Sequence, residues 1–259
     1  MPVPRSSLYL WSGQAVLIGN AAEAVDHQHH ALQVAIGLSG PFRLHSRGSG
    51  YESRAAIIAS DQPHRFDCPK DWEAVMLIDP ETIVARRLAD RYLQRTSIAT
   101  LSWEHVGPFM PELSTYPYQV RSSQQAKEFF DTLLGSLAGP LAVVNPLDPR
   151  IQSALALASV RPLRQVSTRE VAAAVHLSES RLIHLFKQQV GISWRSYLLW
   201  ARLIDAVVQI AHGASLTSAA HQAGFADSAH LSRTFKRMFG MRPSDVFKND
   251  RFVQAISGP

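Results

Sequence analysis

The sequence predicts an α+β chain: a small β-barrel followed by helices in the first half, then an all-α second half. Three observations predict it. Apolar residues alternate with a period of two over residues 32–39, between closely spaced glycines and prolines. After Pro80 the apolar spacing becomes helical. From Ser167 to Pro243 one pattern occurs twice, each position offset by 49 residues.

Composition frames these elements. The 259 residues are 46% hydrophobic and 18% charged, enough apolar material for real cores. No run approaches the length of a membrane span, and no basic segment leads into an apolar one at the N-terminus. Cys68 is the lone cysteine, so no internal disulfide forms. A cytoplasmic protein is expected, without metal or other cofactor.

In the first half, Leu32, Val34, Ile36 and Leu38 alternate with Gln33, Ala35, Gly37 and Ser39, as in a strand with one face inward. Gly40-Pro41 ends that run, and Phe42 with Leu44 begins another. Ala55 to Ala59, His64 to Cys68 and Glu73 to Ile78 are further short strands, punctuated by Gly48, Gly50, Pro63 and Pro69. Ile83, Val84, Leu88, Tyr92 and Leu93 then fall at helical spacing. Beyond Pro108, Pro111 and Pro117, Ser122 or Ser123 caps a helix that carries Phe129, Phe130, Leu133, Leu134 and Leu137, and Gly139-Pro140 stops it. Residues 145–149, Asn-Pro-Leu-Asp-Pro, read as a linker between domains 1–144 and 150–259.

In the repeat, Leu182-x-x-x-Phe186-Lys187-x-x-x-Gly191 returns as Leu231-x-x-x-Phe235-Lys236-x-x-x-Gly240. Each copy reads as a short helix, a tight turn and a longer helix, the helix-turn-helix layout. Ser167 or Thr168 starts the first copy, whose short helix runs to about Val175, and Ser178 caps its second helix. Ser215 opens the second copy, Gly224 supplies the left-handed turn and Asp227 caps the next helix. Trp194 to His212 fits a long connecting helix.

Each longer helix has an apolar face for packing and a second face suited to a major groove. In the first copy that second face carries Ser180, Ile183, His184 and Lys187. In the second it carries Ser228, Ala229, Ser232, Arg233 and Lys236, with Arg237 beside them. Arg reads guanine, Ser and His bond base edges or phosphates, and Ile or Ala touches a thymine methyl. Arg233 is the leading base contact, and Lys187, Lys236 and Arg237 fit phosphates. An ordinary solvated helix face would carry similar residues, but two copies with matched caps, glycines and apolar positions favour DNA. Charge agrees: residues 150–259 hold 14 Lys and Arg against 6 Asp and Glu, and residues 1–149 hold 12 against 15.

The stretch Gly224-Phe225-x-Asp227-x-x-x-Leu231-x-Arg233-x-Phe235-Lys236-x-x-x-Gly240-x-x-Pro243 resembles the signature of the AraC/XylS transcription regulators. The resemblance covers about 100 residues, from near Asp148 to Phe247. It implies seven helices and a sequence-specific DNA-binding regulator rather than an enzyme, with double-stranded DNA and RNA polymerase as partners. One departure is Ser218-Ala219-Ala220-His221, where the family usually has Ile-Ala, and it is expected to loosen the local packing. Residues 8–80 are similar to the cupin-type sensor domain often joined to this DNA-binding domain: His29-His30 opens a strand, Gly40 follows it, and Pro63-His64 precedes another. That likeness implies a small-molecule effector and a homodimer paired through the helix bearing Phe129 to Leu137. The same stripe could instead cover its own barrel.

Two readings of the N-terminal histidines follow. His29, His30 and His64, with Trp11, Arg43 or Tyr51, would line an effector pocket. Alternatively, His27-x-His29 puts two imidazoles on one strand face, where His64 could join them around a metal. Cupin enzymes have such a set, but their usual glutamate is missing, since residues 33–35 are Gln, Val and Ala. The sequence therefore favours no metal, and a metal-dependent cupin enzyme with a nucleic-acid-binding tail is the alternative function.

Overall fold

The computed structural model describes residues 6–20, 25–67, 72–119, 121–140, 145–159, 163–247 and 252–257. Cys68 and Pro69 lie outside the described residues. The chain divides into two compact units, Met1–Val144 together with Phe235–Pro259, and Asn145–Thr234.

The first unit begins with eight strands: β1 (Ser6–Trp11), β2 (Gln14–Asn20), β3 (Leu32–Gly37), β4 (Phe42–Ser46), β5 (Ser49–Ser53), β6 (Ala55–Ile58), β7 (Arg65–Asp67) and β8 (Trp72–Ile78). Then come α1 (Ile83–Tyr92), β9 (Ile98–Thr100), α2 (Trp103–Val106), α3 (Met110–Leu113) and α4 (Ser123–Ala138), and β10 (Phe252–Ser257) returns from the far end of the chain. Seven strands form a sheet in the order β10-β1-β2-β8-β3-β6-β9, and β5-β4-β7 form a second. Among the described residues only β1 and β10 pair in parallel. The β4–β5 hairpin turns on Arg47 (φ 48°) and Gly48 (φ 81°), the double left-handed conformation that matches strand twist.

The large sheet is covered on both faces. Leu32, Val34 and Ile36 of β3 enter a core shared with α1, α2 and α4. Ala35 points the other way, into a core with Phe42, Leu44 and Phe66 of the small sheet. All six β3 residues are therefore buried, where the period-two pattern led us to expect a half-exposed strand. Small or apolar residues on the second face, Gln33 apart, make that possible.

Helix α4 starts on a capping box between Ser122 and Gln125 and ends at Gly139 (φ 72°). Its apolar stripe is a correction to the pairing expectation. Phe130, Leu133, Leu134 and Leu137 are buried in the core of their own unit, and Phe129 packs against Phe109 and Tyr116. The stripe packs into the core of its own unit, against strands of the large sheet.

Glu81 sits between β8 and α1, with its Oε2 shielded from solvent and without a hydrogen-bond partner. Burial and then the neighbouring Asp79 push its pKa up to about 8 from the usual 4.5. An acid held protonated by the fold stabilises most fully below its unfolded pKa, and that stability is lost as pH rises through the folded value. Thermal midpoints of the protein should therefore fall between about pH 5 and pH 8. In Glu81→Gln this part of the slope should vanish; an unchanged slope would assign the pH dependence to other groups.

The expected linker is corrected as well. Pro149 is the first residue of α5 (Pro149–Ser159), Asp148 accepts from the Arg150 backbone N–H at 2.9 Å, and Leu147 is buried in the second unit's core. Proline suits a helix start because its missing N–H has no partner to lose there. After a 3-10 turn at Leu163–Gln165 come α6 (Thr168–Ala174), α7 (Glu179–Val190), α8 (Trp194–Ala211), α9 (Leu216–Ala223), α10 (Ser228–Phe239) and α11 (Pro243–Phe247). These are the seven helices that the resemblance implies, among the described residues. The division falls inside α10, however, so the end of the expected 150–259 domain groups with the first unit, where β10 pairs with β1.

Candidate functional site

Five successive helices start on the same device. Ser167, Ser178, Ser193 and Ser215 each accept from the backbone N–H three residues on, and Asp227 does so from His230 at 2.6 Å. These caps fix where α7 and α10 begin and hence which side chains lie on each face. In α7, Leu182, Leu185, Phe186 and Val190 are buried, with Phe186 against Trp194 and Tyr197 at 5.0 and 5.4 Å between ring centroids. In α10, Leu231, Phe235 and Met238 are buried.

The opposite faces carry the residues expected to contact DNA. Ser180, Ile183, His184 and Lys187 are exposed on α7, as are Ala229, Arg233, Lys236 and Arg237 on α10. Ser228 and Ser232 are half-buried, and the Ser232 hydroxyl donates to the Ser228 carbonyl at 2.8 Å. That bond leaves Ser232 only its lone pairs to offer a partner. Ile183 is 43% exposed, an isoleucine among polar neighbours on a surface helix. It suits contact with a thymine methyl better than water.

The connecting helix buries Trp194, Tyr197, Leu198, Trp200, Leu203, Ala206 and Val207, and leaves Ala201, Ile204, Val208 and Ile210 half-buried. The turns of the two copies differ by one residue. The second uses Gly224 at φ 83°, and the first uses His176 at φ 57°. The Ala219-Ala220 departure closes tightly, with both residues fully buried and His221 exposed, so the expected loosening is not found.

The effector candidates do not converge. Trp11 lies in the core beside α4, stacked on Tyr9 at 5.7 Å, its Nε1–H donating to Ser123 Oγ at 2.9 Å. Arg43 is exposed on β4 beside Glu52, and half-buried Tyr51 packs against the core between the two sheets. His30 pairs with Asp61.

His29 and His64 do meet, together with His27. The three ring centroids lie 4.3–5.9 Å apart, and one ligand nitrogen from each ring falls within 4.8 Å of the others. The pair His27-x-His29 precedes β3 rather than lying on it, and His27 and His64 form an isolated antiparallel bridge with N–H···O distances of 3.0 and 2.9 Å. Each ring sends its Nδ1 to a backbone carbonyl: His27 to Val25 (3.0 Å), His29 to Ala31 (3.0 Å) and His64 to Gln62 (2.8 Å). A carbonyl only accepts, so every Nδ1 carries the proton and every Nε2 in a neutral ring carries a lone pair. Burial is the main reason that all three pKa values fall, that of His29 to about 4 and that of His64 to about 2. Gln33 brings its amide Oε1 to 2.6 Å from His29 Nε2. Sequence reasoning passed over this residue because it sought a carboxylate.

Comparison with known proteins bears first on the helical second half of the chain. A family model described as a helix-turn-helix domain matches residues 171–249. The chain is 36% identical over 120 residues to a Streptomyces antibioticus protein named as an AraC-like transcription regulator, covering 46% of this chain and 38% of that protein. It is 35% identical over 100 residues to the transcriptional activator RhaS of Klebsiella pneumoniae, covering 38% and 36%. The chain thus spans little more than a third of the length of these curated relatives. Crystal structures of ToxT from Vibrio cholerae share the fold over most of the chain. One has a TM-score of 0.59 at 13% identity, covering 92% of this chain and 98% of ToxT. Another, with an unsaturated fatty acid bound, has a TM-score of 0.56 at 14% identity and covers 90% and 94%. Among the described residues no helix is long and apolar enough to cross a membrane. With its paired capped helices, its exposed polar faces and these relatives, the segment spanning residues 171–249 is a helix-turn-helix domain, similar to those of proteins named as AraC-like and RhaS regulators.

Proposed function

We propose that the protein is a sequence-specific DNA-binding transcription regulator whose first unit receives a small-molecule effector. The observation that carries this is the matched pair of outward faces on α7 and α10, each presenting small, hydrogen-bonding and cationic side chains above a buried apolar stripe. Arg233 reads a base, joined by Ser180, Ile183, His184, Ser228, Ala229 and Ser232. Lys187, Lys236 and Arg237 meet phosphates. An effector in the first unit is supported by the shared fold with ToxT, a protein whose structure holds an organic acid. A homodimer and contact with RNA polymerase complete the proposal, the dimer through a surface other than the α4 stripe.

The test is binding of the purified protein to fragments of its own upstream DNA, across a salt series and against random competitor. Tight, competitor-resistant binding with a steep salt slope is expected. Arg233→Ala should cost about 1–3 kcal/mol on the specific site and relax its sequence preference. Lys236→Ala should weaken specific and random DNA alike and lower the salt slope by about one. Equal losses on both DNAs for Arg233→Ala would remove it from base reading, and indifference of the wild type to sequence and effectors would remove the function.

A further inference from the structure

We propose that the 3-10 turn Leu163–Gln165, held by Arg202, is a second strut between the two helix-turn-helix copies and fixes the spacing of the two base blocks they read. The inference rests on the DNA-binding reading above and adds to it what sets the distance between its two contacts.

The two copies are joined by α8, which packs on α9 and, through Trp194, Tyr197 and Leu198, on the core of the first copy. One helix alone is a poor ruler. The 18 residues of α8 span about 27 Å. Over that length a tilt of only about 7° moves the far end by about 3.4 Å, one base-pair step. Long helices curve with radii of roughly 60–100 Å, which over the same length is about 15° or more. A connector that bends this readily would let the two blocks slip in register.

The turn supplies a second connection. Leu163 packs against the core of the first copy, and Val166 is buried in it. The same turn also meets the second copy. Gly224, the left-handed residue between α9 and α10, comes so close that an added Cβ would stand 2.9 Å from Arg164 Cα. The Leu163 carbonyl closes the turn by accepting from the Val166 N–H at 3.4 Å, a long bond. It also accepts from Arg202 Nη2 at 3.2 Å. Arg202 lies near the middle of α8 and is half-buried, so its guanidinium ties the turn to the helix that joins the copies. The copies are then held at three points: α8 itself, the Arg202 bond and the seat of Gly224 on Arg164. Arg202 is a positioning residue, acting on DNA through the turn it holds.

The test starts from DNA selected out of a random-sequence pool by the full-length wild type. Two base blocks at one fixed spacing are expected. Inserting one base pair between them should weaken wild-type binding at least about tenfold, because one block loses its contacts. In Arg202→Met, which keeps the apolar stem and removes the donors, that penalty should fall below about threefold, less than a single mismatched base pair costs. Base preference within each block should stay as it was. Arg202→Lys, which restores a donor, should recover most of the penalty. Arg202→Gln, polar but too short to reach Leu163, should behave as the methionine variant does and replaces it if that variant fails to fold. Partial unfolding lowers binding to both DNAs and leaves their ratio unchanged, so the ratio separates spacing from stability. A wild type that selects no sequence overturns the DNA-binding reading and this inference with it. Specific binding with an undiminished penalty in Arg202→Met and Arg202→Gln overturns the strut alone, as does a wild type that tolerates the insertion.

Discussion

Gly224→Ala should destabilise the protein by about 2–5 kcal/mol, the sum of two separate costs. Gly224 ends α9 at φ 83° and ψ 27°, where a Cβ costs about 1–2 kcal/mol in any surroundings. A Cβ there would also stand 2.8 Å from Arg164 Cβ and 2.9 Å from its Cα. Those atoms belong to the 3-10 turn before α6, and backbone does not move aside as a flexible side chain does, so overpacking adds about 1–3 kcal/mol. The chain contains its own control. Gly191 ends α7 at φ 87°, and a Cβ there meets nothing within 4 Å. Gly191→Ala should therefore show only the backbone cost, about 1–2 kcal/mol. Chemical denaturation of both variants gives the difference directly. Equal losses would mean that the approach of Gly224 to Arg164 is not tight. The larger loss should also abolish specific DNA binding, because α9 and the turn at Gly224 set the seat of α10.

The contrast between these glycines shows which parts of the structure were legible in the sequence. The tandem helices were legible because their signals are local: a serine or aspartate cap, an apolar spacing of three and four, and a glycine at the end. Such signals survive in any tertiary setting, and Ser178, Gly191, Ser215 and Gly224 all stand where expected. Strands β1, β2, β5, β9 and β10 were not legible. In β1, five of six residues are buried, so no polar face alternates with an apolar one. In β5 almost nothing is buried, and in β9 there are only three residues. The histidine cluster was half legible. The spacing of His27 and His29 marked a site, but the oxygen beside it comes from an amide, and a search for a carboxylate does not find it. The convergence of His64 from more than thirty residues away depends on the bridge it makes with His27.

Phe130→Ala should destabilise the first unit by about 3–5 kcal/mol and leave the association state of the protein unchanged. The two outcomes together separate a core from an interface. A stripe that pairs subunits is exposed in the monomer, so truncating it should shift mass in sedimentation with little loss of monomer stability. A stripe that fills a core leaves a cavity, and its loss appears in the unfolding transition at every protein concentration. Phe130 is fully buried, with Tyr116 at 5.3 Å and Phe129 at 5.1 Å between ring centroids. Leu133 and Leu137, one and two helical turns on, are equally buried in the same core. Little relaxation is open to a ring held by aromatic neighbours and a capped helix, which places the cost towards the upper end of the range. Ile83 of α1 supplies the comparison. It is 66% exposed, and Ile83→Ser should change stability by less than about 0.5 kcal/mol. A fall in mass for Phe130→Ala at unchanged stability would return α4 to the role of a pairing helix. The expected result instead sends the search for a dimer contact to other surfaces of the chain, since the α4 stripe is already spent on the barrel it closes.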